Sequence, residues 1–187
     1  MGAVFISYRP GDADGPVRAL VSTLTQLASK RPVLIDVDST AAGRDFREVL
    51  KERLESCDVM LALIGKGWLH AIDASGHRRL DDANDFVRQE ISTALKRNIA
   101  VTPVLLEGAG MPAVEYLPGD LKNLVLRNSF ELTHARWDSD VNELMKRLRL
   151  RRSRKWLWIA GIAALLIAIA FAVAFWPFLS ERLFLPI

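Results

Sequence analysis

Between Asn84 and Leu106 the chain reads NDFVRQEISTALKRNIAVTPVLL, a helical pattern that runs straight into a strand pattern. Val87, Ile91, Ala94 and Leu95 recur at the spacing of one helix face. Asn84 or Asp85 offers a side-chain oxygen to the first free backbone N–H groups, and Lys96, Arg97 and Asn98 suit a last turn. From Ile99 to Leu106 almost every residue is apolar, as in a strand covered on both faces. Few folds accept such a strand, and the remaining elements say which.

Ala3 to Tyr8 is an apolar, β-rich run, followed by the polar loop RPGDADG and a helix over about Pro16 to Ser29. A second strand covers Val33 to Val37, a helix about Asp45 to Ser56, and a third strand Asp58 to Ile64. The longest irregular stretch, Gly65 to Asp85, precedes the helix and strand described above. Glu107 to Asn128 reads as loop with one short helical turn after Pro118. A weak fifth strand follows at Ser129 to Thr133, then a closing helix from Asp138, with Asp138 or Ser139 as its cap. This alternation predicts an α/β sheet of five mostly parallel strands with helices on both faces. Ligands of such sheets sit outside the carboxyl ends of the strands.

The net charge of +3 conceals two regions of opposite sign. Residues 1–145 carry 17 Lys and Arg against 21 Asp and Glu, while 146–155 hold seven basic residues and no acid. A mildly acidic fold argues against a nucleic-acid-binding domain, whose basic footprint covers its surface. From Trp156 to Ser180 no residue is charged, a run longer than the roughly 20 residues that cross a bilayer as a helix. Trp156, Trp158 and Trp176 near its ends, and the basic collar before it, strengthen the expectation of a transmembrane helix. The expected organisation is therefore a domain over 1–148, a basic segment 149–155, a span 156–179 and a short tail 180–187. By the positive-inside rule the N-terminal domain would face the cytoplasm, as a single-pass protein of a bacterial inner membrane, with the bilayer held through Trp156 to Leu179. The single Cys57 excludes an intrachain disulfide. His70, His77 and His134 lack metal-ligand spacing, so no metal site is expected. Asp73, Asp81, Asp82 and Asp85 read as turn and cap residues.

Glu90 is the odd residue. It lies one turn after Phe86 on a flank of the apolar stripe, and no residue three or four positions away is basic. Other helical acids have local partners: Glu55 has Lys51, and Glu143 has Lys146 and Arg147. Taken alone, an acid on a helix flank is most often a solvated one. The topology, however, gathers Tyr8, Arg9, Asp36, Asp38, Gly43, Phe46, Trp68, Phe86 and Glu90 toward one rim of the sheet. A rim of aromatic rings, basic groups and a carboxylate suits a nucleotide-like ligand. No Gly-rich phosphate loop follows the first strand, which disfavours a dinucleotide-binding Rossmann domain. A phospho-receiver would need an acidic pair where Ser7, Tyr8 and Arg9 stand.

Six segments in order, VFISYR, LIDVDSTAAGRDF, LALIGKGWL, RLDDANDFVRQEI, TPVLLEGAGMP and ARWDSDVNELMKRL, resemble a bacterial Toll/interleukin-1 receptor (TIR) domain over about residues 1–148. The resemblance implies a flavodoxin-like fold with, here, one C-terminal transmembrane helix. It also implies hydrolysis or cyclisation of NAD+ at the nicotinamide–ribose bond, with NAD+ as substrate and no other cofactor. Glu90 matches the family's catalytic glutamate. Phe86 stands where the family often has tryptophan against the substrate. Tyr8 and Arg9 match the loop bordering the nucleotide, and Asp36, Gly43 and Phe46 flank or belong to the mobile loop that gates the site. Self-association would trigger the enzyme, membrane-tethered in bacterial defence or stress signalling. The alternative is a non-enzymatic TIR–TIR adaptor anchored to the membrane.

Overall fold

The computed structural model describes residues 2–27, 31–35 and 45–148. The chain divides into two units, Met1–Arg152 and Ser153–Ile187, and every described residue belongs to the first. In chain order the elements are β1 (Ala3–Ser7), α1 (Asp14–Leu27), β2 (Val33–Ile35), α2 (Phe46–Glu55), β3 (Cys57–Ile64), α3 (Phe86–Lys96), β4 (Ala100–Leu106), β5 (Phe130–Leu132) and α4 (Trp137–Arg147). The strands form one sheet in the order β2-β1-β3-β4-β5, and all four pairings are parallel. The strand order turns back on itself between β1 and β3, which places a crevice at their carboxyl ends.

Side-chain alternation along the strands divides the core into two layers. Phe5, Met60, Ala62 and Ile64 pack against Leu50 and Leu54 of α2 and Val87, Ile91 and Ala94 of α3. Val4, Ile6, Leu61 and Leu63 point the other way, onto Leu20 and Leu24 of α1 and Leu144 and Met145 of α4. Arg31 ties this body at its ends, donating Nε to the Gly2 carbonyl at 2.8 Å and Nη1 to the Leu148 carbonyl at 3.1 Å.

The turn from α3 into β4 shows why the two patterns abut. Asn98 adopts φ 56°, its N–H bonds the Leu95 carbonyl, and the Ile99 N–H reaches back to Ala94 at 3.0 Å. This is a Schellman ending, in which a left-handed residue satisfies the last carbonyls and reverses the chain at once.

One expectation is corrected. Among the described residues no helix is long and apolar enough to cross a membrane. The longest, α1, has 14 residues. That is about 21 Å against a hydrocarbon core of about 30 Å. The expected span 156–179, the basic segment 149–155 and the tail 180–187 lie outside the described residues. The C-terminal transmembrane helix, the lipid-bilayer partner held through Trp156 to Leu179, the single-pass inner-membrane location and the tethered mode of action are withdrawn. The α/β domain is what stands.

Smaller differences concern the right-hand part of the sheet. The loop after β4 holds two single 3-10 turns, Val114–Tyr116 and Lys122–Leu124, where one was expected. The closing helix starts at Trp137 without a side-chain cap. Asp140 instead turns back to accept the Thr133 N–H at 3.0 Å and its hydroxyl at 2.9 Å, closing the end of β5.

Candidate functional site

At the carboxyl edge of the sheet stand the loops after β1 and β3 and the first turn of α3. Asp12 fastens the first two together, accepting the N–H of Gly65 at 3.0 Å and of Gly67 at 2.9 Å. A Cβ at Gly65 would run into that carboxylate, so the close approach requires glycine there. Next to Asp12, Ala13 is held at φ 58°, which costs an L-residue on the order of 1 kcal/mol.

β1 ends at Ser7, and the side chains that follow keep alternating. Tyr8 is half-buried against the α1/α4 layer. Arg9 faces the other way, toward α3, with 1% of its side chain exposed. Its two terminal nitrogens donate to the two carboxylate oxygens of Asp85, each at 2.9 Å, in a planar fork.

Asp85 does several things at once. Its backbone is extended (φ −60°, ψ 127°), and its carboxylate caps α3 by accepting the Arg88 N–H at 3.1 Å. The same carboxylate accepts Arg79 Nε at 3.2 Å. Arg88 in turn pairs with Asp120 at 3.1 Å and donates to the carbonyls of Leu80 and Asp81. The first turn of α3 is therefore bolted to β1 from inside and to two loops from outside.

Burial works to raise the Asp85 carboxyl, but the hydrogen bond and charge of Arg9, the Arg88 N–H and the charge of Arg79 outweigh it and hold the group below the usual carboxylate range. A depressed folded-state value stabilises the fold in full above the unfolded carboxyl's value of about 3.9. That contribution shrinks as pH falls below it and disappears below the folded-state value. The thermal midpoint of the protein is expected to drop as pH is lowered through 4 and below, and more shallowly in Asp85→Asn. Equal acid slopes for the two proteins in a series of melts at graded pH would refute this role.

Phe86 and Glu90 stand one above the other on α3, four residues apart. Phe86 is 43% exposed and helps line an open cleft of about 460 Å³, beside Ile72, Ala74, Arg79, Asp82 and Asn84. Glu90 is 1% exposed. Val87, Glu90, Ile91, Ala94 and Leu95 make up one inward face, so the carboxylate occupies a position the helix otherwise gives to apolar side chains. An acid placed there gives up hydration that an apolar residue of its size would not. Acids held in such places mark functional sites more often than surface acids do.

Of the other expected site residues, Phe46 opens α2, with Asp45 as the helix cap, while Asp36 and Gly43 lie outside the described residues. Trp68 is fully buried in the α2/α3 layer. The acids Asp73 and Asp82 accept nearby backbone N–H groups of their own turns. Cys57 is buried, its thiol donating to the Arg53 carbonyl, and burial pushes it up. Among the described residues no three His, Cys, Asp or Glu side chains gather as a metal site requires. Sequence reasoning missed the hub made by Arg9, Asp85, Arg79, Arg88 and Asp120.

The family model for the TIR domain matches residues 4–147. The chain belongs to the TIR domain family. Over 146 residues this TIR domain is 27% identical to NAD(+) hydrolase sarm1 of Drosophila melanogaster, covering 78% of this chain and 10% of the fly protein. The chain thus spans about a tenth of the length of that curated relative. It is also similar to the TIR domains in the activated Roq1 resistosome directly recognizing the pathogen effector XopQ, with a TM-score of 0.57 and 12% identity. That match covers 79% of this chain and 99% of the other, and at such identity the likeness is one of fold.

Proposed function

We propose that this TIR domain cleaves NAD+ at the bond between nicotinamide and ribose, with Glu90 as its catalytic carboxylate. The observation that carries the reading is a nearly inaccessible acid inside the apolar face of α3, one turn below an exposed aromatic ring at the mouth of a cleft. The similarity to an NAD(+) hydrolase across the same region agrees with it.

In this reaction the C1′–N bond breaks and its electron pair leaves with nicotinamide, which departs neutral. The ribosyl group is left as an oxocarbenium-like cation. A carboxylate near that carbon stabilises the positive charge and can accept hydrogen bonds from the ribose hydroxyls. Water then adds at C1′ and loses a proton, giving ADP-ribose; an internal nitrogen of the adenine in place of water gives a cyclic product. Phe86 stacks on a flat ring of the substrate. Asp36, Gly43, Phe46 and Tyr8 border the nucleotide in this reading.

Exposed Ile72 beside the open cleft leaves apolar surface for a second copy of the domain to cover. Activity is therefore expected to require self-association. The test is nicotinamide release from NAD+ by the purified chain over a wide range of protein concentration. Release rising faster than linearly supports an assembly-dependent enzyme. No release at any concentration from folded protein overturns the enzyme reading in favour of a TIR–TIR adaptor.

Phe86→Ala is expected to raise KM for NAD+ by about fivefold, since ring stacking contributes on the order of 1 kcal/mol. Phe86→Trp should leave KM within a few-fold of the parent. Steady-state kinetics of the two variants check this, and an unchanged KM in Phe86→Ala removes the stacking role.

A further inference from the structure

We infer that Arg9 and Asp85 are the positioning pair of the site: they fix the rotation and height of α3 on the sheet, and so the location of Glu90. The inference rests on the NAD+-cleaving role proposed for Glu90.

Arg9 is two residues past the end of β1, a strand buried along its whole length and paired on both sides. Its side chain accordingly starts from backbone just beyond a strand held on both sides. Both of its terminal nitrogens are committed to Asp85, and the two side chains are 1% and 2% exposed. Arg9 cannot reach a substrate without abandoning Asp85, so its effect on the reaction passes through the helix. Asp85 is the cap residue of α3, and Glu90 follows it by five residues. A carboxylate roughly 6 Å from a helix axis swings by about 1 Å for each 10° of helix rotation.

The other contacts of α3 with the sheet are poor at resisting that rotation. Val87, Ile91, Ala94 and Leu95 hold the helix by apolar burial, which has no directional preference. A bidentate guanidinium–carboxylate pair does have one. Stability alone does not explain the pair, because well-packed apolar residues commonly replace a buried ion pair at no loss. Directionality does. Arg79 and Arg88 secure the same turn from the solvent side, through Asp85 Oδ2 and Asp120.

The test uses the full chain and two conservative variants. Asp85→Asn keeps a good helix cap and removes the charge. Arg9→Lys keeps the charge and removes the fork. Each is expected to lower kcat about a hundredfold, the loss that a misplacement of roughly 1 Å brings, with KM for NAD+ nearly unchanged. The double variant should lose no more than either single one, because the two act as a unit. Amide hydrogen exchange should quicken over residues 86–90 while β1 and β4 keep their protection.

A rise in KM in Arg9→Lys that Asp85→Asn does not share would overturn the inference, placing Arg9 on the substrate. So would an unchanged kcat in both variants. A parent chain that releases no nicotinamide would defeat the enzyme reading by itself, and exchange then decides the pair: quickening confined to 86–90 supports it, and unaltered exchange there overturns it. Should Asp85→Asn exchange everywhere through global opening, Arg9→Lys carries the same comparison.

Discussion

Glu90→Gln is expected to lower kcat for nicotinamide release by about a hundred- to a thousandfold, the range lost when one preorganised electrostatic contact to a developing charge is removed. Glutamine matches glutamate in size and shape, so the inward face of α3 stays filled. What disappears is the negative charge opposite the ribosyl cation. The carboxylate also sits away from bulk water, where a charge acts more strongly than it does at a surface. The variant is expected to stay folded, since the volume of the side chain is kept. The checks are steady-state release of nicotinamide and a denaturant melt on the same preparation. Retained turnover in a folded Glu90→Gln protein would remove Glu90 from the chemistry. Loss of turnover together with loss of fold would mean that the acid is structural.

Arg9→Ala is expected to destabilise the domain by about 3 kcal/mol, at the lower end of the 3–5 kcal/mol typical of a buried pair that loses one partner. The lower end applies because Asp85 keeps Arg79 and the Arg88 N–H. The double replacement Arg9→Met with Asp85→Asn should recover most of that loss: methionine fills the volume, and asparagine caps the helix without a charge to strand. Urea unfolding of the three proteins measures both numbers. A loss below about 1 kcal/mol in Arg9→Ala, within the range of exposed ion pairs, would show that the pair is not energetically buried.

Much of the fold was legible because its signals are local. Continuous apolar runs, a helix stripe and a cap at Asn84 or Asp85 give β1, α3 and β4 to within a residue or two, and the order of elements implies the parallel sheet. The misses have physical causes of the opposite kind. Asp138 and Ser139 look like caps for the closing helix, yet Asp140 is drawn to Thr133, a contact set by how α4 meets β5. Arg9 reads as a basic residue in a polar loop because its partner lies 76 residues away. No local pattern announces a pair of that span. Glu90 was recognisable as an acid with no basic residue three or four positions away, but its placement on the flank of the stripe understated its burial, which depends on the sheet beneath it. The uncharged run after Trp156 is a property of composition, and the described fold ends before it.

The bond between Asp12 and the two glycines after β3 has a consequence for recognition. With those loops joined, the segments that follow β1 and β3 cannot drift apart independently, and that flank of the sheet's carboxyl edge is set before anything binds beside it. Little ordering remains to be done there when a ligand arrives, so less of the interaction energy is lost to arranging the host. Adaptation to different guests is left to the cleft at the start of α3, where Phe86 stands half in water.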